Sequence, residues 1–317
     1  MPSYAQEVRE HQYLHLIGTL GKIPVTMDLE IVGDAASGRF YFNKMGQPIY
    51  LDDGDFDAEI PNFGKENIWL SETYGKWEGK LKKDKLSGIW TSADGKKQLP
   101  FTLVENYAQS AQMIVLRFDN ALNPNAATKV KASLHYPTTT KNGEVLRQLK
   151  NEIGKTAVGI AMPNKALINT FKFGVLDKFE KDKDIKETTV ETTIFLNESN
   201  LLTISVFQSG KNQKGEAAGI IRSNYHTWDL LTGNELTAKE IFVENYETNL
   251  EDIAQEVIRR DYEGKVFGSI LPHKFGILKG GMMFFAENAN IITEIFVPYS
   301  QLKPILKKNS PIEALVK

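Results

Sequence analysis

Between Tyr13 and Val104 apolar and polar side chains alternate with a period of two, and no stretch in that span repeats at helical spacing. The clearest run covers residues 23–32, where Val25, Met27, Leu29 and Ile31 alternate with Thr26, Asp28 and Glu30. Successive side chains of a strand point to opposite faces, so this run predicts a strand with one face in a core and the other toward water. Similar runs follow at 38–43, 48–51, 68–72, 75–81, 86–91 and 99–104. Turn chemistry separates them: Gly33-Asp34, Met45-Gly46, Asp53-Gly54, Tyr74-Gly75 and Asp94-Gly95. Consecutive hairpins at this spacing predict an antiparallel meander or a small barrel. Gly75-Lys76-Trp77-Glu78-Gly79 and Gly88-Ile89-Trp90 add a Gly-x-aromatic beat.

The pattern changes after Asn106. Strands are expected at 113–118, 130–136, 189–197, 201–208 and 220–230, then at 275–278, 282–286 and 291–297. Three helical stripes interrupt them: Val145, Leu146, Leu149 and Ile153; Leu167, Ile168, Phe171, Val175 and Phe179 after Asn164; and Leu250, Ile253, Ala254, Val257 and Ile258 after Asn249. Ser300 is the expected cap of a last helix running to Lys307, and residues 120–128 read as a linker or long loop. The fold class is therefore α+β: an all-β meander or barrel over residues 1–108, then an α+β domain over 109–317 with helices on one face of a mostly antiparallel sheet.

Composition removes several chemistries. The chain has no cysteine, which excludes disulfides, thiolate-held metals and clusters, thiol nucleophiles and lipidated cysteine. Lys+Arg 38 against Asp+Glu 40 argues against a nucleic-acid binder. No stretch approaches the ~20 apolar residues of a membrane span. Ser3 and Ala5 stand where a leader peptidase reads small residues, with Gln6 opening the mature chain, so export to the periplasm or beyond is the expectation.

No cofactor or metal is expected either. Asp52, Asp53, Asp55, Asp57 and Glu59 crowd around Gly54, but the EF-hand frame is not met, and an acidic hairpin loop fits better than a calcium site. His11 and His15 have the i,i+4 spacing of a helical zinc pair, yet the segment leads into a strand. They read as terminal histidines of free conformation. Gly215–Gly219 is bounded by glycines but precedes a strand, so it lacks the helix N-terminus of a phosphate cradle. Lys80, Lys82, Lys83 and Lys85 read as a solvated hairpin tip. Trp69, Trp77 and Trp90 suit either a sugar-stacking platform or a barrel core, and the core fits period-two positions better.

From about Val130 onward an ordered series of short motifs carries a resemblance. His135-Tyr136-Pro137 opens it; Leu201-Leu202-Thr203-Ile204-Ser205-Val206 follows, then Gly215–Gly219. Next come Tyr225 to Leu230 with Thr232-Gly233-Asn234-Glu235-Leu236, Ile241-Phe242 with Tyr246, Phe275, Gly280 and Phe284-Phe285. Val297-Pro298-Tyr299-Ser300-Gln301-Leu302 closes it. Over about 60% of the chain this resembles the extracytoplasmic region shared by RsiV-type lysozyme-sensing anti-sigma factors and PdaC-type peptidoglycan deacetylases. Two positions depart: Ala218 stands where that family has His, and residues 285–291 form a shorter loop without Pro, Tyr or Gly.

The resemblance implies the recognition part of that family, without a catalytic domain. The expected function is a non-enzymatic exported or periplasmic protein binding a lysozyme-like protein or peptidoglycan. Its expected contact residues are Gly215, Glu216, Gly219, Tyr225, Trp228, Glu287, Asn288, Asn290 and Tyr299, provided that their loops are exposed. Two alternatives stand beside it: a wall-polysaccharide hydrolase using the carboxylates of 52–59, and a scaffold or immunity-type protein binding through the meander.

Overall fold

The computed structural model describes residues 9–32, 35–51, 67–120, 128–159, 161–162, 170–172, 174–175, 185–217, 222–261, 268–288 and 291–316. Eight strands precede residue 108: β1 (Arg9–Leu20), β2 (Ile23–Val32), β3 (Ala35–Phe42), β4 (Ile49–Leu51), β5 (Asn67–Glu72), β6 (Gly75–Lys82), β7 (Lys85–Ser92) and β8 (Gln98–Glu105). Their order is β4-β3-β2-β1-β8-β7-β6-β5, antiparallel throughout. The meander predicted from alternation is present. The closed barrel is not: β4 and β5 approach each other, but no ladder joins them among the described residues.

The predicted apolar face of β2 does line the interior of this curl. Val25, Met27 and Leu29 meet Leu14 and Leu16 of β1, Phe40 of β3, Leu86 of β7 and Leu103 of β8. Trp77 is the centrepiece, packed between Phe40 and Phe101 with ring centroids 4.9 Å away on each side. The glycines of the Gly-x-aromatic beat make room for these rings. Gly79 faces Gly88 across β6 and β7, and a Cβ on Gly79 would lie 2.7 Å from the Phe101 ring. A side chain at either glycine would push the strands off the aromatic core.

Past residue 108 come β9 (Gln112–Asp119), β10 (Lys129–Thr139), α1 (Gly143–Val158), β11 (Ile185–Glu198), β12 (Leu201–Asn212) and β13 (Arg222–Asp229). The β10–β11 pair is parallel and the others are antiparallel. A parallel pair needs a crossover, and α1 lies in it. Asn142 caps α1 by accepting from the Glu144 amide at 2.9 Å, and Gly159 ends it at φ 79°. The predicted stripe Val145, Leu149 and Ile153 is buried against Val130, Leu134, Val190, Ile194 and Trp228. Residues 170–172 and 174–175 of the second predicted helix are helical, and Phe171 and Val175 join that core; Leu167, Ile168 and Phe179 of its stripe lie outside the described residues.

The halves share one sheet. Residues 16–20 of β1 pair with β8, while residues 9–12 of the same strand pair with β9, so the ladder continues past residue 108 into a 13-stranded mixed sheet. The chain then adds α2 (Ala238–Ile241), α3 (Tyr246–Asp261), the antiparallel sheet β14 (Ser269–Ile277), β15 (Gly281–Asn288) and β16 (Ile291–Pro298), and α4 (Tyr299–Leu302). This group encloses a third core with Leu196 and Leu201 of the large sheet. Two boundaries differ from expectation. The third predicted helix begins at Tyr246, ahead of Asn249, and Ser300 lies inside α4, which Pro298 precedes. The α4 segment stops at Leu302 and tightens into a 3-10 turn, because Pro304 has no amide to continue it. No described helix is long and apolar enough to cross a membrane.

Candidate functional site

Two features concentrate polar chemistry. The first is the face of β1–β3 that alternation assigned to water. On that face His15, Asp28 and Arg39 stand in one row, in register across three strands, and Tyr13, Glu30 and Ser37 form the next. The second half of the chain covers this face, which leaves His15 1%, Asp28 3% and Arg39 5% exposed. Asp28 Oδ1 accepts from the Tyr13 hydroxyl at 2.6 Å and lies 2.7 Å from His15 Nδ1. Arg39 Nε stands 3.8 Å from Asp28 Oδ2, and its guanidinium lies 4.8 Å over the Phe195 ring. Glu30 reaches across to the second half, 2.8 Å from His135 Nε2 and 3.4 Å from Arg117 Nη2. Burial alone would raise both carboxyl groups. The neighbouring His15, Arg39 and Tyr13 outweigh it at Asp28, and His135, Arg117 and Arg39 take Glu30 down to about 2. A second contact lies alongside: Glu198 accepts from the Tyr41 hydroxyl at 3.2 Å and from Lys279 at 2.7 Å.

His15 is therefore a core residue of β1, not a terminal histidine of free conformation. Its neighbours hold it there, and the sequence signal was the cross-strand match of His15, Asp28 and Arg39 once the hairpins are put in register. Glu30, 19% exposed, joins the two halves through the buried His135 and the exposed Arg117. This contact is a fastening, since Glu30 of β2 is held by His135 and Arg117 from beyond residue 108.

The second feature is a groove of about 800 Å³ between β13, β14, α2 and α3. Tyr225, Phe242, Tyr246 and Phe275 form its floor, and Glu235, Lys239, Glu244, Glu247, His273 and Lys307 its rim. Local sequence explains the shape. Opposite β15, β14 carries extra residues between Ile270 and Phe275, where Pro272 can give no ladder hydrogen bond, and the bulge lifts His273 to the rim. Phe242 stacks on Tyr246 at 4.4 Å and meets Phe275 edge-on at 5.5 Å. The Tyr246 hydroxyl donates to Pro272 O at 3.1 Å, and burial lifts its phenol to about 12, so it stays a donor across the physiological range. Among the described residues no group of three or more His, Asp or Glu side chains could hold a metal ion.

The expected contact residues that lie among the described ones do not come together. Gly215 turns at φ 82° at one end of the β12–β13 hairpin, beside an exposed Glu216 whose carboxylate accepts from Asn212 Nδ2 at 2.9 Å. Trp228 lies near the opposite end and is 1% exposed in the core beneath α1. Tyr225 points to the other face, with ring centroids 5.0 Å from Phe195 and 5.4 Å from Phe285. Tyr299 is 4% exposed and donates to Leu278 O at 2.8 Å. Both faces of β13 are covered, so alternation along it leads from one core to another and leaves no aromatic anchor outside. Of those among the described residues, Tyr225 alone lines the groove. Glu287 and Asn288 pair through their backbones within β15, while their side chains, Asn290 and Gly219 lie outside the described residues, as do 52–59. Of the three tryptophans weighed as a sugar platform, Trp77 is core and Trp90 donates to Glu72 at 2.9 Å; the Trp69 side chain lies outside the described residues. The groove residues Phe242, Tyr246 and Phe275 fell within the family motifs, but nothing in their spacing marked them as one wall.

Comparison with solved structures assigns the architecture. A DUF3298-family protein from Bacteroides fragilis superposes with a TM-score of 0.51, at 16% identity, over 66% of this chain and 98% of its own. Over about two thirds of its length the chain shares the fold of that protein. A second, from Pseudomonas aeruginosa PAO1, has a TM-score of 0.43 at 10% identity, covering 64% of this chain and 98% of its own. No family model matches the sequence, and no curated protein does.

Proposed function

We propose that this chain is an exported or periplasmic binding protein, without catalytic chemistry of its own, that holds a cell-envelope macromolecule in the groove between β13 and α3. The reading rests on one observation. The groove has an aromatic floor and a rim that carries three carboxylates, two lysines and a histidine, which is the make-up of a recognition groove. The motif series by which the sequence resembles RsiV-type and PdaC-type proteins runs through Tyr225, Phe242, Tyr246 and Phe275 of that floor, and supports a lysozyme-like protein or peptidoglycan as the occupant. The DUF3298 fold is compatible with this reading and supplies no ligand.

Retention of the purified chain on immobilised hen lysozyme and on peptidoglycan sacculi tests the proposal. Binding to either matrix supports it and identifies the partner class. Passage through both contradicts it, and release of soluble muropeptides from the sacculi would make the chain an enzyme.

A further inference from the structure

We infer that the free edge of β13 beside the groove is a strand-addition site, which takes an extended polypeptide segment with apolar side chains at every second position. The inference rests on the binding reading above and narrows it to a protein partner. The backbone shows a new strand that starts and stops. Leu236 N donates to Thr227 O at 2.7 Å and Asp229 N to Asn234 O at 2.9 Å, around the isolated bridge Trp228–Glu235. Residues 234–236 thus begin to pair with the outer edge of β13, on the side away from β12. At Thr237 the chain turns off into α2.

Backbone groups two residues apart on an antiparallel strand present to the same edge. Thr227 and Asp229 present theirs outward, so Tyr225 and Ser223 do the same, while Asn224 and His226 face β12. Among the described residues no strand pairs with this edge before Thr227. Tyr225 and Thr227 are also wall residues of the groove. A segment continuing the line of residues 234–236 would therefore find donor and acceptor pairs at strand spacing, and would lay alternate side chains over the floor of Tyr225 and Phe275. A glycan strand has no repeating N–H and C=O groups at that spacing, whereas a polypeptide backbone has them at every second residue. The rim charges Glu235, Lys239 and Lys307 flank the path and favour a segment of mixed charge.

Two measurements on the full chain test this. In the free protein, amide hydrogen exchange should be fast at Ser223 and Tyr225 and slow at Asn224 and His226; protection at all four would mean that the edge is already covered, and would overturn the inference. Panning a random 12-residue peptide library displayed on phage against the immobilised chain should enrich segments with alternating apolar residues. The synthetic peptide should bind Ser223→Pro about tenfold more weakly, the loss expected for one backbone hydrogen bond. Proline is tolerated where a strand N–H points outward, so the variant should keep the wild-type thermal midpoint. Equal affinity for Ser223→Pro, or no enriched peptide, refutes the strand-addition site. Retention on sacculi without peptide binding leaves the binding reading standing and removes this one. Peptide binding without retention on lysozyme or sacculi does the reverse.

Discussion

Replacing Glu30 with Gln removes the carboxylate that links β2 to β9 and β10, and the structure sets the size of the effect. Burial works against the Glu30 charge, but His135, Arg117 and Arg39 together bring its acidity from the ordinary 4.5 to about 2. Each pH unit of that displacement corresponds to ~1.4 kcal/mol. The side chain is 19% exposed, so solvent screens little of it, and the carboxylate contributes about 3 kcal/mol of stability. The folded-state value lies below the unfolded one. The contribution is therefore complete above about pH 4.5 and is lost as pH falls toward 2. Urea unfolding of wild type and Glu30→Gln, from pH 7 to pH 2, should show a gap of about 3 kcal/mol that closes through that window. Asp28, which His15 and Arg39 also hold below the ordinary carboxylate range, is present in both proteins, so it drops out of the difference. A gap that stays constant down to pH 2, or no gap at pH 7, would refute the assignment of Glu30 as a charged link between the halves.

Trp77→Ala should cost ~3–5 kcal/mol in urea unfolding, as expected for a buried aromatic between two rings, and should leave retention on sacculi unchanged. A small loss of stability with lost retention would make Trp77 a ligand platform. Gly88→Ala puts a methyl group 2.0 Å from Glu78 O and 2.5 Å from Gly79 Cα. Backbone cannot yield as a flexible side chain does, so ~1–3 kcal/mol of stability should be lost, with faster amide exchange in β6 and β7.

Much of the fold was legible because period two is a local property. Ile23–Val32 is a strand over the range its alternation marks, and Val25, Met27 and Leu29 do face a core. The α1 stripe was legible for the same reason, with Asn142 and Gly159 supplying the caps. Alternation separates two faces but does not say what covers each. Thr26 and Asp28 read as solvent-facing, yet they are 1% and 3% exposed, because residues more than 100 positions away in β10 and β11 cover that side of β2. The same limit hid the site. Trp228 and Tyr299 carry the aromatic character of an interface anchor, but their strand and helix are covered on the sides they face. The groove is assembled from β13, α2, α3 and β14, whose neighbourhood depends on the bulge between Ile270 and Phe275. A pairwise cross-strand reading could have found His15, Asp28 and Arg39; no short-range pattern joins Tyr225 to His273.

The account stands on the groove as the place where a partner is held. Ala238 lies in its wall on α2, half-buried, so Ala238→Trp fills the space without opening a core. Retention of wild type and Ala238→Trp on lysozyme and on sacculi, with matched thermal midpoints, is the most direct measurement. The account predicts that wild type is retained on one matrix and the filled variant is released. Equal retention of the two, or no retention of wild type on either matrix, would contradict it.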